Sequence, residues 1–162
     1  MEIQFFLHMQ VTFSYRGGMT SSVPELLRGA GLRRTPTRLA VLARMELLAR
    51  PCSHAELLAI PDLADLDDIT LYRTLNTLVE AGLVHRIHGI DGVWRYSTQP
   101  RSQPGCPGNH AHFLCNSCGR MSCLLSEPMP RVAVPEGAEV HGRHFLVFGR
   151  CASCAGQQKA AE

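Results

Sequence analysis

Two Cys-x-x-Cys pairs, Cys115/Cys118 and Cys151/Cys154, constrain this 162-residue chain more than any other feature. Gly119 follows the first pair and Gly149 precedes the second, as in tight metal-binding knuckles. Four thiolates at this spacing form a tetrahedral donor set for zinc or iron. Pro128, Pro130 and Pro135 crowd the stretch between the pairs and leave little room for a long helix. A small, proline-broken unit has a thin core, so bound metal would supply folding energy and the four-cysteine site is expected to be structural. An electron-transfer iron centre would use the same ligand set. The chain has seven cysteines, an odd number, which favours metal ligation over disulfides in a reducing compartment. Residues 1–15 resemble an export signal only superficially, with Glu2 in place of a positive start and no small-residue cleavage site. No run of 18 apolar residues exists, so no membrane partner is expected and the protein is read as cytoplasmic.

The amino-terminal half reads as helices followed by a hairpin. Ser22 caps a short helix with Pro24 and Glu25 in its first turn, and Gly31 closes it. Thr35-Pro36 opens a second, with Leu39, Val41, Leu42, Met45 and Leu48 on its apolar face. Ser53 and Glu56 form a capping box for a third, which Pro61 stops. Asp67 or Asp68 caps a fourth, with Leu71, Leu75, Leu78 and Val79 at helical spacing and Gly82 at its end. Strands over 83–88 and 93–97 flank the Asp91-Gly92 turn. The pattern predicts an α+β chain: a winged helix-turn-helix over 22–98, a polar hinge over 99–109, and a small metal-binding unit over 110–155. Strands are expected at 111–115, 120–125 and 145–148, and residues 156–162 are expected to be a flexible tail. Residues 1–21 do not fit the rest. They are expected to be a disordered extension or a start-site artefact with Met19 as the true start.

A second set of metal donors surrounds the first knuckle. His110 and His112 alternate along a strand, so both imidazoles face one side. Cys123 lies five residues after Cys118, Cys106 lies in the hinge, and His85 follows the fourth helix. His88, Glu127, His141 and His144 are also within reach in sequence, with His88 and His141 read as surface residues. Histidine and cysteine together favour zinc over magnesium or calcium, whereas ferrous iron prefers more carboxylate oxygen.

These segments resemble the ferric-uptake-regulator family of bacterial metal-sensing repressors. The resemblance rests on Arg34-Thr35-Pro36-Thr37-Arg38, Thr70-Leu71-Tyr72-Arg73-Thr74-Leu75-Asn76, Glu80-Ala81-Gly82-Leu83-Val84, Arg95-Tyr96, the pair His110 and His112, and both Cys-x-x-Cys pairs. It implies a homodimer with an amino-terminal winged helix and a carboxy-terminal α/β dimerisation domain. It also implies a double-stranded, palindromic DNA operator bound when a regulatory metal closes the hinge. Carried over, Cys115, Cys118, Cys151 and Cys154 are similar to the structural zinc ligands. His85, Cys106, His110 and His112 are similar to the sensor site, with Cys123 and His144 as accessory ligands. Tyr72 and Arg73 are similar to the operator-contacting residues. Thr70 opens that segment, and Arg34 and Arg38 are read as positioning the DNA backbone.

The departures point to a branch. Iron sensors of the family carry a histidine where this chain has Pro51-Cys52, and a glutamate where it has Ser97. A histidine after Gly82-Leu83-Val84 and a hinge cysteine resemble the zinc-uptake regulators. Cys123 stands in place of an acidic residue, and Arg143 in place of a histidine beside His144. The last departure puts a third metal site and a long dimerisation helix in question. A zinc-responsive repressor of zinc-uptake genes is therefore expected, with iron or peroxide sensing as the alternative. The net charge of +2 predicts modest nonspecific DNA affinity, although nine of the sixteen basic residues precede position 90, several at predicted helix starts. The wing loop carries only Asp91 as a charge and is expected to add little. No nucleophile motif is present, and Glu127 and Asp91 lie off the ligand cluster, which argues against an enzyme and a small-molecule substrate.

Overall fold

The computed structural model describes residues 22–98, 110–125, 130, 132–140 and 144–159. The hinge over 99–109, Cys106 within it, residues 1–21, Glu127 and His141 lie outside the described residues. In chain order the elements are α1 (Val23–Gly29), α2 (Pro36–Leu48), β1 (Cys52–Ser53), α3 (His54–Leu58), a 3-10 turn (Pro61–Leu63), α4 (Asp68–Glu80), β2 (Val84–His88) and β3 (Trp94–Thr98). Then come β4 (Ala111–Cys115), β5 (Met121–Leu124), β6 (Leu146–Gly149) and α5 (Ala152–Lys159).

Local chemistry sets the helix starts. Ser22 and Glu25 close a capping box on α1, as Ser53 and Glu56 do on α3. Thr35 accepts a hydrogen bond from the Arg38 amide, with Pro36 at the first helical position of α2. Asp67 accepts from the Thr70 amide at 2.8 Å and caps α4. That helix ends where Gly82 takes φ +70°, a conformation that glycine adopts without steric cost. Arg44 and Asp62 form an ion pair between α2 and the 3-10 turn.

The apolar faces of these helices converge on one core. Leu27, Leu42, Leu57, Leu71, Leu75 and Leu78 are fully buried in it, and Val84 and Tyr96 close it from the hairpin. The hairpin belongs to a three-stranded antiparallel sheet in the order β1-β3-β2. The two-residue β1 is absent from the sequence reading, because strand pairing that short has no periodicity to betray it. Cys52 sits there, 1% exposed, within the helical core.

The second sheet runs in the order β5-β4-β6, with β4 antiparallel to β5 and parallel to β6. All three strands fall within two residues of their expected positions. The tail departs from expectation. Residues 152–159 form α5, so the flexible segment expected from 156 is helical through Lys159. The helix starts one residue after Cys151, and the knuckle provides its first turn through the Ala155 amide donating to the Cys151 carbonyl at 2.9 Å.

The base of the wing hairpin is buried on both faces, while Arg86, His88 and Trp94 towards its tip are exposed. Val84 and Tyr96 face the helical core. The register pairs His85 with Ser97 and Ile87 with Arg95, and all four are 5% exposed or less. Ile87 packs with Leu114, Met121 and Leu146 of the second sheet in a small separate core.

Truncating Leu75→Ala should remove about 2–5 kcal/mol of stability by leaving a cavity under α4. Urea unfolding would measure it, and a loss below about 1 kcal/mol would mean that the core can collapse around the gap.

Candidate metal centres and nucleic-acid surface

The four-cysteine cluster is built by the second sheet and by α5. β4 ends on buried Cys115, a turn carries Cys118, and Cys151 and Cys154 lie at the start of α5. Their sulfur atoms all lie within 4.8 Å of one another. The Asn116 amide donates to the Gly149 carbonyl and the Gly119 amide to the Cys115 carbonyl, both at 2.8 Å, so the backbone holds the two knuckles together. The Cys151 amide donates to the Cys115 sulfur at 3.3 Å, and this and the neighbouring Cys118 amide bring the Cys115 thiol down to about 6. Sulfur neighbours push Cys154 the other way, up to about 12, led by its contact with Cys151. Four thiols this close cannot all ionise beside one another without a cation, which is the chemistry of a four-thiolate metal site.

The second cluster joins the two sheets. β2 supplies His85, the residue before β4 is His110, and β4 supplies His112. Their ring nitrogens lie within 4.8 Å of one another. The ring centroid of His85 is 5.7 Å from that of His110 and 5.9 Å from that of His112. All three are at most 5% exposed. Both ring nitrogens of His85, and Nε2 of His112, are buried without a hydrogen bond among the described residues. Such nitrogens are costly unless something satisfies them, and a divalent ion would. Burial, then the charges of His110 and His144, push His85 down to about 4. Burial, then its histidine neighbours, push His112 down to about 3, and burial lowers His110 as well. All three therefore present neutral imidazoles at pH 7, the form that ligates metal.

The accessory candidates stand apart from this trio. Cys123 lies directly opposite His112 across the β4–β5 register, on the same sheet face, but outside the tight group of ring nitrogens. His144 is exposed and lies near enough for its charge to act on His85 and His112. Ser97 pairs with His85 and presents a hydroxyl there. His88, expected at the surface, stacks on Trp94 at 4.6 Å beside Arg86, which lies 5.0 Å above the same ring. The sequence reading missed this group, although His88, Arg86 and Trp94 share one face by simple alternation.

On α4, Tyr72 is 53% exposed and Arg73 is exposed beside it. Thr70 is different. Its hydroxyl donates to the Asp67 carboxylate at 2.6 Å and so takes part in the helix cap. Arg34 is exposed, whereas the Arg38 guanidinium donates to the Arg33 carbonyl at 3.1 Å and braces the approach to α2. No described helix is long and apolar enough to cross a membrane.

The sequence profile of the ferric uptake regulator family matches residues 29–133. The chain belongs to the ferric uptake regulator family. It is 40% identical over 98 residues to ferric uptake regulation protein 1 of Mycolicibacterium fortuitum, a match that spans 60% of this chain and 57% of that one. Ferric uptake regulation protein 2 of the same organism is 27% identical over 143 residues, 84% of this chain and 94% of the relative. Among solved structures, a zinc uptake regulator complexed with zinc and DNA aligns with a TM-score of 0.59 at 23% identity, over 84% of this chain and 92% of that one. The Vibrio cholerae ferric uptake regulator aligns with a TM-score of 0.57 at 22% identity, over 78% and 98%. Membership of this family of transcriptional regulators agrees with the fold class and the family expected from the sequence.

Metal-free protein should lose stability as pH falls. The unfolded chain takes up protons on His85 and His112 near pH 6.5, while the folded chain resists until about 4 and about 3. The unfolded state therefore binds more protons between those limits, and stability declines across that window. Thermal melts from pH 7 to pH 4 would follow it, and a His85→Ala, His112→Ala double variant should flatten the decline. An unchanged slope would show that the imidazoles are not buried as described.

Proposed function

We propose that this protein is a zinc-responsive transcriptional repressor. With metal at the three-histidine site it binds a palindromic operator as a dimer and represses zinc-uptake genes. The observation that carries this reading is the trio His85, His110 and His112. One histidine comes from the wing and two from the second sheet, so an ion bound to all three fixes the relation between the halves of the molecule. Binding at the closed arrangement tightens DNA binding, and DNA tightens metal binding by the same factor.

The choice of zinc follows from the donors. Three buried imidazoles with a thiol on the same sheet face suit a borderline ion better than a hard one. Ser97 stands beside His85 with no carboxylate to offer, and Cys52 is sequestered in the helical core, its thiol pushed up to about 11 by burial. Neither position supplies the nitrogen or oxygen donor that would favour iron. Cys123 and, from the hinge, Cys106 would complete the coordination, with His144 as an outer partner. The solved zinc uptake regulator bound to zinc and DNA has the same fold.

Cys115, Cys118, Cys151 and Cys154 hold a structural zinc. Tyr72 and Arg73 on α4 enter the major groove, Arg73 as a guanine or phosphate contact. Arg34 lies on the phosphate backbone. The second sheet leaves Val147 and Phe148 about half exposed at the edge strand, and Phe145 exposed beside them. A second copy of the chain would cover this apolar surface.

Anaerobic titration with zinc and with ferrous iron, read by operator binding, tests the reading. Zinc should raise affinity in the concentration range of the histidine site, and a response to ferrous iron alone would move the protein to iron sensing. Arg73→Ala should weaken specific binding by about 1–3 kcal/mol without changing metal content. Cys115→Ser should destabilise the second sheet itself, measured by melting and by gel filtration. Intact folding and dimerisation in that variant would make the structural role wrong.

A further inference from the structure

Arg95 is 3% exposed, on a hairpin that would leave it in solvent if the wing stood free. Its guanidinium bonds both oxygens of Asp91, Nη1 to Oδ1 at 3.1 Å and Nη2 to Oδ2 at 2.8 Å. Nη2 also donates at 2.7 Å to the carbonyl of Gly119, 24 residues away and next to Cys118 in the first knuckle. A buried guanidinium is stable only when its partners replace the lost water, and here one partner belongs to each half of the molecule. The Asp91 carboxylate is held well below its usual range, first by its bond to Arg95.

One glycine makes room for the group. A Cβ at Gly89 would lie 2.3 Å from Oδ1 of Asp91 and 2.7 Å from Nη1 of Arg95. A Cβ at Gly119 would lie 3.6 Å from Nη2 of Arg95, an ordinary contact. Gly89 is therefore the position where a single methyl group would push the pair apart.

The register places this contact with respect to the metal cluster. Arg95 pairs with Ile87, two residues from His85 on the same face of β2. Ile87 is plugged between Leu114 and Met121. One face of the hairpin thus meets the second sheet at three successive points: His85 on the histidines, Ile87 in the apolar plug, and Arg95 on the knuckle.

We propose that Arg95, held by Asp91 and admitted by Gly89, is a positioning residue that latches the wing to the Cys118–Gly119 knuckle. The latch sets the orientation in which His85 meets His110 and His112. It couples the four-cysteine site to the histidine site, because the carbonyl it grips moves with the knuckle. The inference rests on the sensing role of the histidines only for one of its two readouts.

The test uses the full chain and its Arg95→Met, Gly89→Ala and Asp91→Asn variants. Cobalt(II) reports the four-cysteine site by its thiolate charge-transfer bands and the histidine site by titration. Hydrogen exchange reports the hairpin and residues 119–124. Arg95→Met and Gly89→Ala should keep the thiolate spectrum and the helical circular dichroism. Both should lose protection at the hairpin and at 119–124, and bind cobalt at the histidines about 5- to 20-fold more weakly, the span of a modest coupling between sites. Asp91→Asn, which leaves the guanidinium in place but loosely held, should fall between. Native exchange and unchanged histidine-site affinity in Arg95→Met would overturn the proposal. So would loss of the thiolate spectrum in both of the first two variants, because Arg95 would then support the knuckle alone. Wild-type protein that bound no ion at the histidines would contradict the sensing reading, and the exchange data would then decide the latch alone.

Discussion

The structure depends on the burial of the second face of the wing hairpin. In an exposed wing that face would be polar, and the strands would alternate between core and water. Here His85, Ile87 and Arg95 meet the second sheet or the residues that lead into it, and Ser97 is buried beside His85. The cost is high, because three of the four carry groups that water would otherwise solvate. Arg95 recovers most of the loss through Asp91 and the Gly119 carbonyl, with its Nε left without a partner among the described residues. His85 has no such partner among the described residues. The same docking surface therefore has one end held by charged hydrogen bonds and one end where both imidazole nitrogens lack a partner, and the second end is the one shaped to accept an ion.

This asymmetry separates the two cysteine and histidine centres by role. The four thiols belong to one sheet and the helix that follows it, and the backbone bonds between their knuckles are internal to that unit. A metal there strengthens a small core of Leu114, Met121 and their neighbours. The three histidines span both sheets, so a metal there acts on orientation. The distance between those effects is short, since β4 begins with His112 among its first residues and ends with Cys115.

Much of this was legible in the sequence for simple reasons. Capping boxes at Ser22 and Ser53, Pro36 at a helix start and Gly82 at a helix end are local signals that need no tertiary context. The Cys-x-x-Cys spacing and the His110/His112 alternation are equally local. The parts that escaped are those whose partners lie far off in sequence. The role of Arg95 depends on a backbone carbonyl, which carries no sequence signature. β1 exists only through its pairing with Tyr96 and Arg95. α5 follows a knuckle and has a weak apolar pattern, so its end from residue 156 onward reads as a tail. Thr70 carries a second kind of information: it lies in a segment that resembles a DNA-contacting motif, and its hydroxyl also serves the cap of that helix, a contact that the motif does not announce.

The central claim is that His85 of the wing and His110 and His112 of the second sheet share one ion. Counting bound metal by competition titration with a chromophoric zinc chelator, in wild type and in His85→Ala, tests it most directly. The account predicts two tightly held zinc ions per chain in wild type, and in the variant one retained at full affinity and one strongly weakened. Two ions held as tightly in His85→Ala as in wild type would contradict it, because the wing would then take no part in binding.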